Sequence, residues 1–331
     1  MKIKIDKFVI AIIGIISIAY LFPEWGTKES EIPIDTISAV GISLIFFFYG
    51  LKLSPEKLKA GLKNWKLHVL VQLSTFLLFP LLVLLFQPLI HNEEQKTIWL
   101  AFFFLAALPS TVSSSVVMVS MAKGNIPAAI FNASISGMIG IAITPLWMGL
   151  FVHGLQSGFD FTEIYIKLVV QIILPVILGL LLQAFLGDFA QKHNKKLTTF
   201  DKSIILLIIY KSFAESFSEN IFSAVSILDL SLLSLGVLSL FLLMFVTTSF
   251  ISKKLNFSKK DQITATFCGT KKSLVHGTVF SKIIFGNTVA LGIILLPLML
   301  YHAIQLLLIS IIASKMEQDY SIRETVEKVN R

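Results

Sequence analysis

Apolar residues in this chain come in long unbroken blocks, not in the spaced pattern of a soluble core. The first block is FVIAIIGIISIAYLF (8–22), and similar runs recur to the end. Most approach or exceed the roughly 20 residues a helix needs to cross hydrocarbon. They predict ten spans, at 8–22, 35–51, 67–90, 97–121, 126–152, 163–186, 203–222, 229–252, 262–284 and 288–314. Continuous runs of this kind lack the weak alternation of outer-membrane barrel strands, so the expected class is an all-α integral membrane protein. The segment SPEKLKAGLKNWKLH (54–68) is too charged to span and suggests an amphipathic helix lying at the interface. Lys2, Lys4 and Lys7 ahead of the first block resemble a signal peptide. No small-x-small cleavage site follows before LFPEWG, so the block is expected to stay as the first helix. The polar tail 315–331 is expected to be a solvated or disordered end.

Composition agrees with the pattern. Of 331 residues, 55% are apolar and only 15% charged, with a mean hydropathy of +0.82. Length alone suggests two soluble domains, and the apolar blocks overrule that. The net charge of +8 needs no nucleic acid to explain it, because the positive residues sit in short segments between spans. Six such segments, including both termini, hold 21 Lys and Arg, whereas the opposite loops hold only Lys28 and Lys96. This bias puts both termini on the cytoplasmic side of a cell (inner or plasma) membrane, with the bilayer as the first partner. Five further lysines, Lys167, Lys211, Lys271, Lys272 and Lys282, fall within predicted spans.

The two halves echo each other. Residues 123–130 read KGNIPAAI and 285–292 read FGNTVALG, with the Gly-Asn pairs 162 residues apart. Five spans per half is an odd number, so the second half (153–314) is expected to be inverted relative to the first (1–152). Interrupted helices at matching positions of inverted repeats point to a transporter site.

Spans four and nine are the interrupted ones. In span four Pro109 removes a backbone donor and clashes with the preceding turn. Ser110, Thr111, Ser113, Ser114 and Ser115 follow at mid-membrane depth. Hydroxyls there can satisfy freed carbonyls or coordinate a ligand, or simply hold packed helices together. In span nine, ITATFCGTKKSLVHGTVFSKIIF, Gly269 and Gly277 weaken the helix while Lys271, Lys272 and His276 sit near its centre. A charge at that depth costs at least ~2.5 kcal/mol on insertion scales. Two adjacent helical lysines point about 100° apart and are hard to hide against one partner. Snorkelling to an interface is easy for Lys282 and harder for the other two.

Span seven adds Lys211 and Glu215, one turn apart. They can pair locally, or Glu215 can serve as counter-charge to a span-nine lysine. Gln72 in span three and Asn132 in span five are lone amides in apolar runs, either helix glue or oxygens for an alkali cation. Cys268 is the sole cysteine, which excludes an intramolecular disulfide and a cysteine zinc cluster. Cys268 and His276 lack a paired acid, and no phosphate loop, metal-ligand spacing or nucleophile elbow is present. The expectation is therefore a non-enzyme.

The stretches LPSTVSSSVVMVSMAKGN (108–125), FNASISGMIGIAITPL (131–146), YKSFAESF (210–217), FCGTKKSLVHG (267–277) and LLPLMLYHAIQLLL (295–308) resemble the bile acid:sodium symporter family. The resemblance is strongest to its divergent branch, the seventh-member-like group of solute carrier family ten and its bacterial relatives. It covers about residues 8–314 and implies ten spans, a panel domain, and a core domain in which discontinuous helices four and nine cross around sodium and substrate. By position, Ser113, Ser114 and Ser115 resemble the polar cluster of the first crossing helix, and Gln72 the glutamine that reaches sodium. The family's Glu-x-Gly-x-Gln motif reads here Cys268, Thr270 and Lys272 at its three fixed places. The carboxylate that neutralises sodium is thus replaced and a cation stands beside it, which weighs against sodium at that point and against bile acids as substrate.

The leading expectation is a secondary transporter of an organic anion by alternating access. Lys271 and Lys272, with Ser273 beside them, attract the anion, and the serines and Gln72 coordinate its oxygens or a sodium ion. A buried lysine that exchanges its proton would instead permit proton coupling with His276 or Glu215. Lys272→Met is then expected to abolish transport and leave folding intact. The rival is a regulatory membrane protein affecting calcium handling without net solute flux.

Overall fold

The computed structural model describes residues 7–27, 30–53, 64–111, 113–152, 166–167, 169–220, 226–285 and 291–329. Among the described residues every regular element is helical. We number the helices α1 (Lys7–Leu21), α2 (Ile34–Lys52), α3 (Trp65–Leu73, continued through a π-turn at Ser74–Leu78 into Phe79–Leu84), α4a (Glu93–Ala107), α4b (Ser113–Met121) and α5 (Ile126–Val152). There follow α6a (Leu174–Leu181, entered through a π-turn at Val169–Ile173), α6b (Gln183–Lys192), α7 (Asn194–Ser218), α8 (Ile227–Lys254), α9a (Lys259–Thr270), α9b (Leu274–Phe285) and α10 (Leu291–Val329). Helix α10 carries the chain well past the expected end of span ten. Most of the expected interfacial segment 54–68, and the second Gly-Asn pair at 286–287, lie outside the described residues.

Local chemistry explains the ends. Ser226 and Asp229 form a reciprocal capping box at the start of α8. Ser258 accepts from the Asp261 amide at the start of α9a, and Asn92 from the Gln95 amide at the start of α4a. Helices α4b and α8 end with Lys123 and Asn256 in the left-handed conformation (φ 58° and 56°). The following amides, of Gly124 and Phe257, bond back to Val119 and Ser252, which satisfies terminal carbonyls.

Among the described residues five helices are long and apolar enough to cross a membrane, and a sixth candidate, α6a with α6b, is bent by 98°. No unbroken piece of α4 or α9 is long enough to cross by itself, and α7 carries charge. The surface is apolar: α8 exposes Leu228, Leu232, Leu235, Val246 and Phe250. Meanwhile Ser110, Ser115, Asn132, Lys271, Lys272, His276 and Gln305 are buried. A hydrocarbon-facing exterior around a polar centre is the arrangement of a multi-pass membrane protein.

Packing groups α1, α2, α6a and α7 together, and α3, α4, α5, α8, α9a and α10 together, with α7 against α9b and α10 bridging them. Helices α2 and α6a meet through facing glycines. A methyl group on Gly179 would strike the Phe47 carbonyl, and one on Gly50 the Val176 carbonyl, a backbone approach that only small residues allow. The helix ends pair off in two sets. Lys52 meets Asp201 at 3.3 Å and Asn125 meets Asp261 at 2.8 Å. At the other ends, Tyr210 donates to the Phe22 carbonyl at 2.5 Å and Asp35 meets Lys211 at 2.7 Å and Lys282 at 3.0 Å.

Candidate functional site

The two interrupted helices touch at their breaks. Leu108, held extended (ψ 152°) by the proline that follows it, ends α4a. Lys271 is likewise extended (φ −83°, ψ 145°) and ends α9a. The amide of Ser273 donates to the Pro109 carbonyl at 2.9 Å, and the Ser110 hydroxyl donates to the Cys268 carbonyl at 2.7 Å. Each break therefore closes backbone groups opened by the other.

The remaining freed groups find side chains. Thr144 donates to the Ala107 carbonyl at 2.8 Å, Ser136 accepts from the Ser110 amide at 2.9 Å, and Tyr301 donates to the Thr270 carbonyl at 2.6 Å. Gln305 grips both sides of Lys272. Its Oε1 accepts from the Lys272 amide and its Nε2 donates to the Lys272 carbonyl, each at 2.8 Å. Buried polar backbone must be paired, and around this crossing side chains from α5 and α10 do the pairing.

Lys271 and Lys272 have different fates. Both are fully buried. They lie in the non-helical step between α9a and α9b, not on a helix, so the expected 100° separation of helical neighbours does not apply. The Lys272 ammonium donates to the carbonyls of Thr75 (2.8 Å), Ala106 (2.6 Å) and Leu108 (2.8 Å) and lies 4.1 Å from the centre of the Phe79 ring. An ammonium has three N–H donors, and all three are used. The Lys271 ammonium has no hydrogen-bond partner. Lys272 is thus part of the backbone architecture, and Lys272→Met would strip donors from three buried carbonyls. The exchange is therefore expected to destabilise the fold and not to leave folding intact.

The other expected site residues fall into smaller groups. The Thr111 hydroxyl lies 2.8 Å from that of Ser114 and 2.9 Å from that of Ser115; the side chain of Ser113 is outside the described set. Gln72 Nε2 donates to Asn132 Oδ1 at 3.2 Å, which leaves Gln72 Oε1 buried without a partner. Asn132 Nδ2 donates to the Ala128 carbonyl. The Thr270 hydroxyl is spent on the Thr266 carbonyl, and the Cys268 thiol is buried. Ser273 Oγ lies 2.9 Å from His276 Nδ1, while His276 Nε2 is unpartnered in an aromatic box of Phe46, Tyr49 and Phe280. Tyr49 of α2 also donates to the Ser134 carbonyl of α5. Glu215 pairs with Lys211 at 3.0 Å, the local alternative. The counter-charge of the span-nine lysine Lys282 is Asp35.

Several of these partners went unnoticed in the sequence. Gln305 is a lone amide in LLPLMLYHAIQLLL, the same signal that singled out Gln72, and Asp35 is a lone acid at a span start. The carbonyl cage around Lys272 has no side-chain signature at all, apart from Pro80.

A hydrocarbon-facing helical bundle built around two broken, crossing helices is an architecture in which membrane transport proteins place their binding sites. The chain belongs to the SBF-like CPA transporter family, whose model matches residues 6–318. It is 34% identical over 312 residues to an Escherichia coli protein named "Putative symporter YfeH", covering 94% of this chain and 92% of that one. It is 31% identical over 337 residues to the Xenopus laevis sodium/bile acid cotransporter 7-A, covering 100% and 97%. An uncharacterized Pseudomonas aeruginosa protein, PA2026, is 34% identical over 310 residues, covering 94% and 92%. Family membership makes the chain a transporter, not an enzyme.

Proposed function

We propose that this protein is a secondary transporter that moves an organic anion by alternating access. The observation that carries the proposal is Lys271, fully buried beside the crossing with no partner for its ammonium. An unpaired buried charge is costly, and intramembrane charges mark substrate paths. A carboxylate, sulfate or phosphate group on the substrate would supply the missing partner, with the hydroxyls of Thr111, Ser114 and Ser115 as candidate donors to its oxygens.

In this account the chain makes ten crossings in two inverted halves, with both termini cytoplasmic in the cell membrane. The group containing α2 and α7 forms the panel, and the group containing α4 and α9 the core. Lys271 follows Pro109 by 162 residues (271 − 109), the offset of the two Gly-Asn pairs, which supports the repeat. The pairing of helix ends in two sets supports the alternation of direction.

Coupling to sodium is the second element, favoured by one observation. Gln72 Oε1 is a buried oxygen without a donor, suited to a small cation with Ser114 and Ser115 near the same crossing. Lys272 does not exchange a proton in this scheme, because all three of its donors are committed to carbonyls. Proton coupling would rest on Lys271 with His276 or Glu215.

The test is uptake into proteoliposomes of a panel of labelled organic carboxylates and sulfates, with sodium gradient, proton gradient or neither. Lys271→Met is expected to reduce uptake to background while the melting temperature stays level or rises. Wild-type uptake in that variant would overturn the assignment of Lys271. Absence of any flux from folded wild-type protein would instead leave the regulatory role.

A further inference from the structure

The cage around the Lys272 ammonium is assembled from three carbonyls orphaned for separate reasons. Thr75 lies in the π-turn of α3. The Phe79 amide, its ordinary helical partner, bonds to Ser74 instead, and the next residue, Pro80, has no N–H. Ala106 loses its helical partner because the Ser110 amide bonds to Ser136. Leu108 lies where the chain has already left the helix. The three oxygens stand 2.6–2.8 Å from one nitrogen, and the Phe79 ring closes a further side.

Neutral carbonyl oxygens at a helix C-terminus, with an aromatic face, form a site for a small monovalent cation. Backbone and side chain are both fixed here, since Gln305 clamps the Lys272 peptide on its two sides. We propose that Lys272 is a tethered cation. Its ammonium permanently fills a cation site at the crossing of α4 and α9, so the crossing stays charged and closed without a free ion at that point. The crossing holds this ammonium whether or not the protein carries an anion.

Removing the tether should uncover the site. Lys272→Ala empties the cage and the channel of its own side chain, and n-propylammonium replaces the deleted atoms one for one. Purified Lys272→Ala, extracted in parallel into choline, sodium and n-propylammonium chloride at equal ionic strength, is expected to lose roughly 5–10 °C of Tm in choline. It should regain at least half of that in n-propylammonium, or in sodium, saturably. Lys272→Met, whose side chain still fills the channel, should show the loss without the recovery, which separates cation occupancy from mere packing. No cation-specific recovery in Lys272→Ala overturns the proposal, including the case in which it fails to fold in every extraction. Equal recovery in Lys272→Met, or full stability of Lys272→Ala in choline, overturns it as well.

Discussion

The Lys272 ammonium lies 2.8 Å from the Thr75 carbonyl, although 197 residues separate the two in sequence. The contact exists because α3 widens into a π-turn just before Pro80, so that Thr75 has no helical N–H to accept. One helix thus exposes an oxygen at membrane depth, and another, broken at the same depth, brings the donor. Neither irregularity is stable in hydrocarbon by itself; together they pair their backbone groups.

Gln305 should be structural in the same sense. Gln305→Leu removes both hydrogen bonds to the Lys272 peptide and leaves a buried N–H and C=O unpaired. At about 1–3 kcal/mol for each unsatisfied group, the loss should reach on the order of 2–6 kcal/mol. Gln305→Glu keeps the acceptor but no longer donates to the Lys272 carbonyl, so it should also destabilise. Thermal or denaturant unfolding in detergent measures both, and a change below about 0.5 kcal/mol in Gln305→Leu would show that the clamp is not needed.

The contact between α2 and α6a makes a steric prediction. Gly179→Val places branched carbon against the Phe47 carbonyl and the Leu51 amide, and neither can move without displacing a helix. Overpacking of this kind costs about 1–3 kcal/mol or more. Gly14, whose position has open space around it, is the control: Gly14→Ala should be neutral or slightly stabilising, by up to ~1 kcal/mol. Yields of monodisperse protein and Tm values of the two variants check the contrast.

The cluster of Asp35, Lys211, Glu215 and Lys282 should be weak where it is wet. The Asp35 side chain is 62% exposed and that of Lys282 19%, so a double-mutant cycle with Asp35→Asn and Lys282→Met should give coupling under about 1 kcal/mol. Lys211, only 9% exposed and shared between Asp35 and Glu215, should lose more on change to Met than Asp35 does on change to Asn. The reverse order would mean that Asp35 acts through contacts other than these ion pairs.

Orientation can be read by labelling. Cys268 is buried, so the native chain should be silent to a membrane-impermeant maleimide. Glu93→Cys, whose position has an 82% exposed side chain, should label in intact cells. Lys254→Cys, at the end of α8, should label only after permeabilisation. The opposite pattern would invert the topology.

The apolar blocks located the helices because hydrocarbon length and backbone pairing leave few alternatives. Breaks at Pro109 and near Lys271 were visible too, one from the chemistry of proline and one from charges no lipid-facing helix tolerates. What could not be seen was how the freed backbone is satisfied. Thr144, Ser136, Tyr301 and Gln305 act on carbonyls and amides of distant residues, and a carbonyl has no letter in a sequence. The two lysines looked equivalent for the same reason: both are buried, and only the Thr75, Ala106 and Leu108 oxygens tell them apart. Glu215 was ambiguous because its near partner Lys211 and a distant lysine both fitted the pattern, and Asp35 took the distant role.

Neighbouring lysines have opposite purposes, and the melting temperatures of Lys271→Met and Lys272→Met measured side by side test this most directly. Lys272→Met should lose on the order of 3–5 kcal/mol of stability, as when one partner of a buried charge-bonded group is removed, whereas Lys271→Met, which deletes an unpartnered buried charge, should be as stable as the wild type or more so. Equal losses in the two variants, or a stable Lys272→Met, would contradict the account.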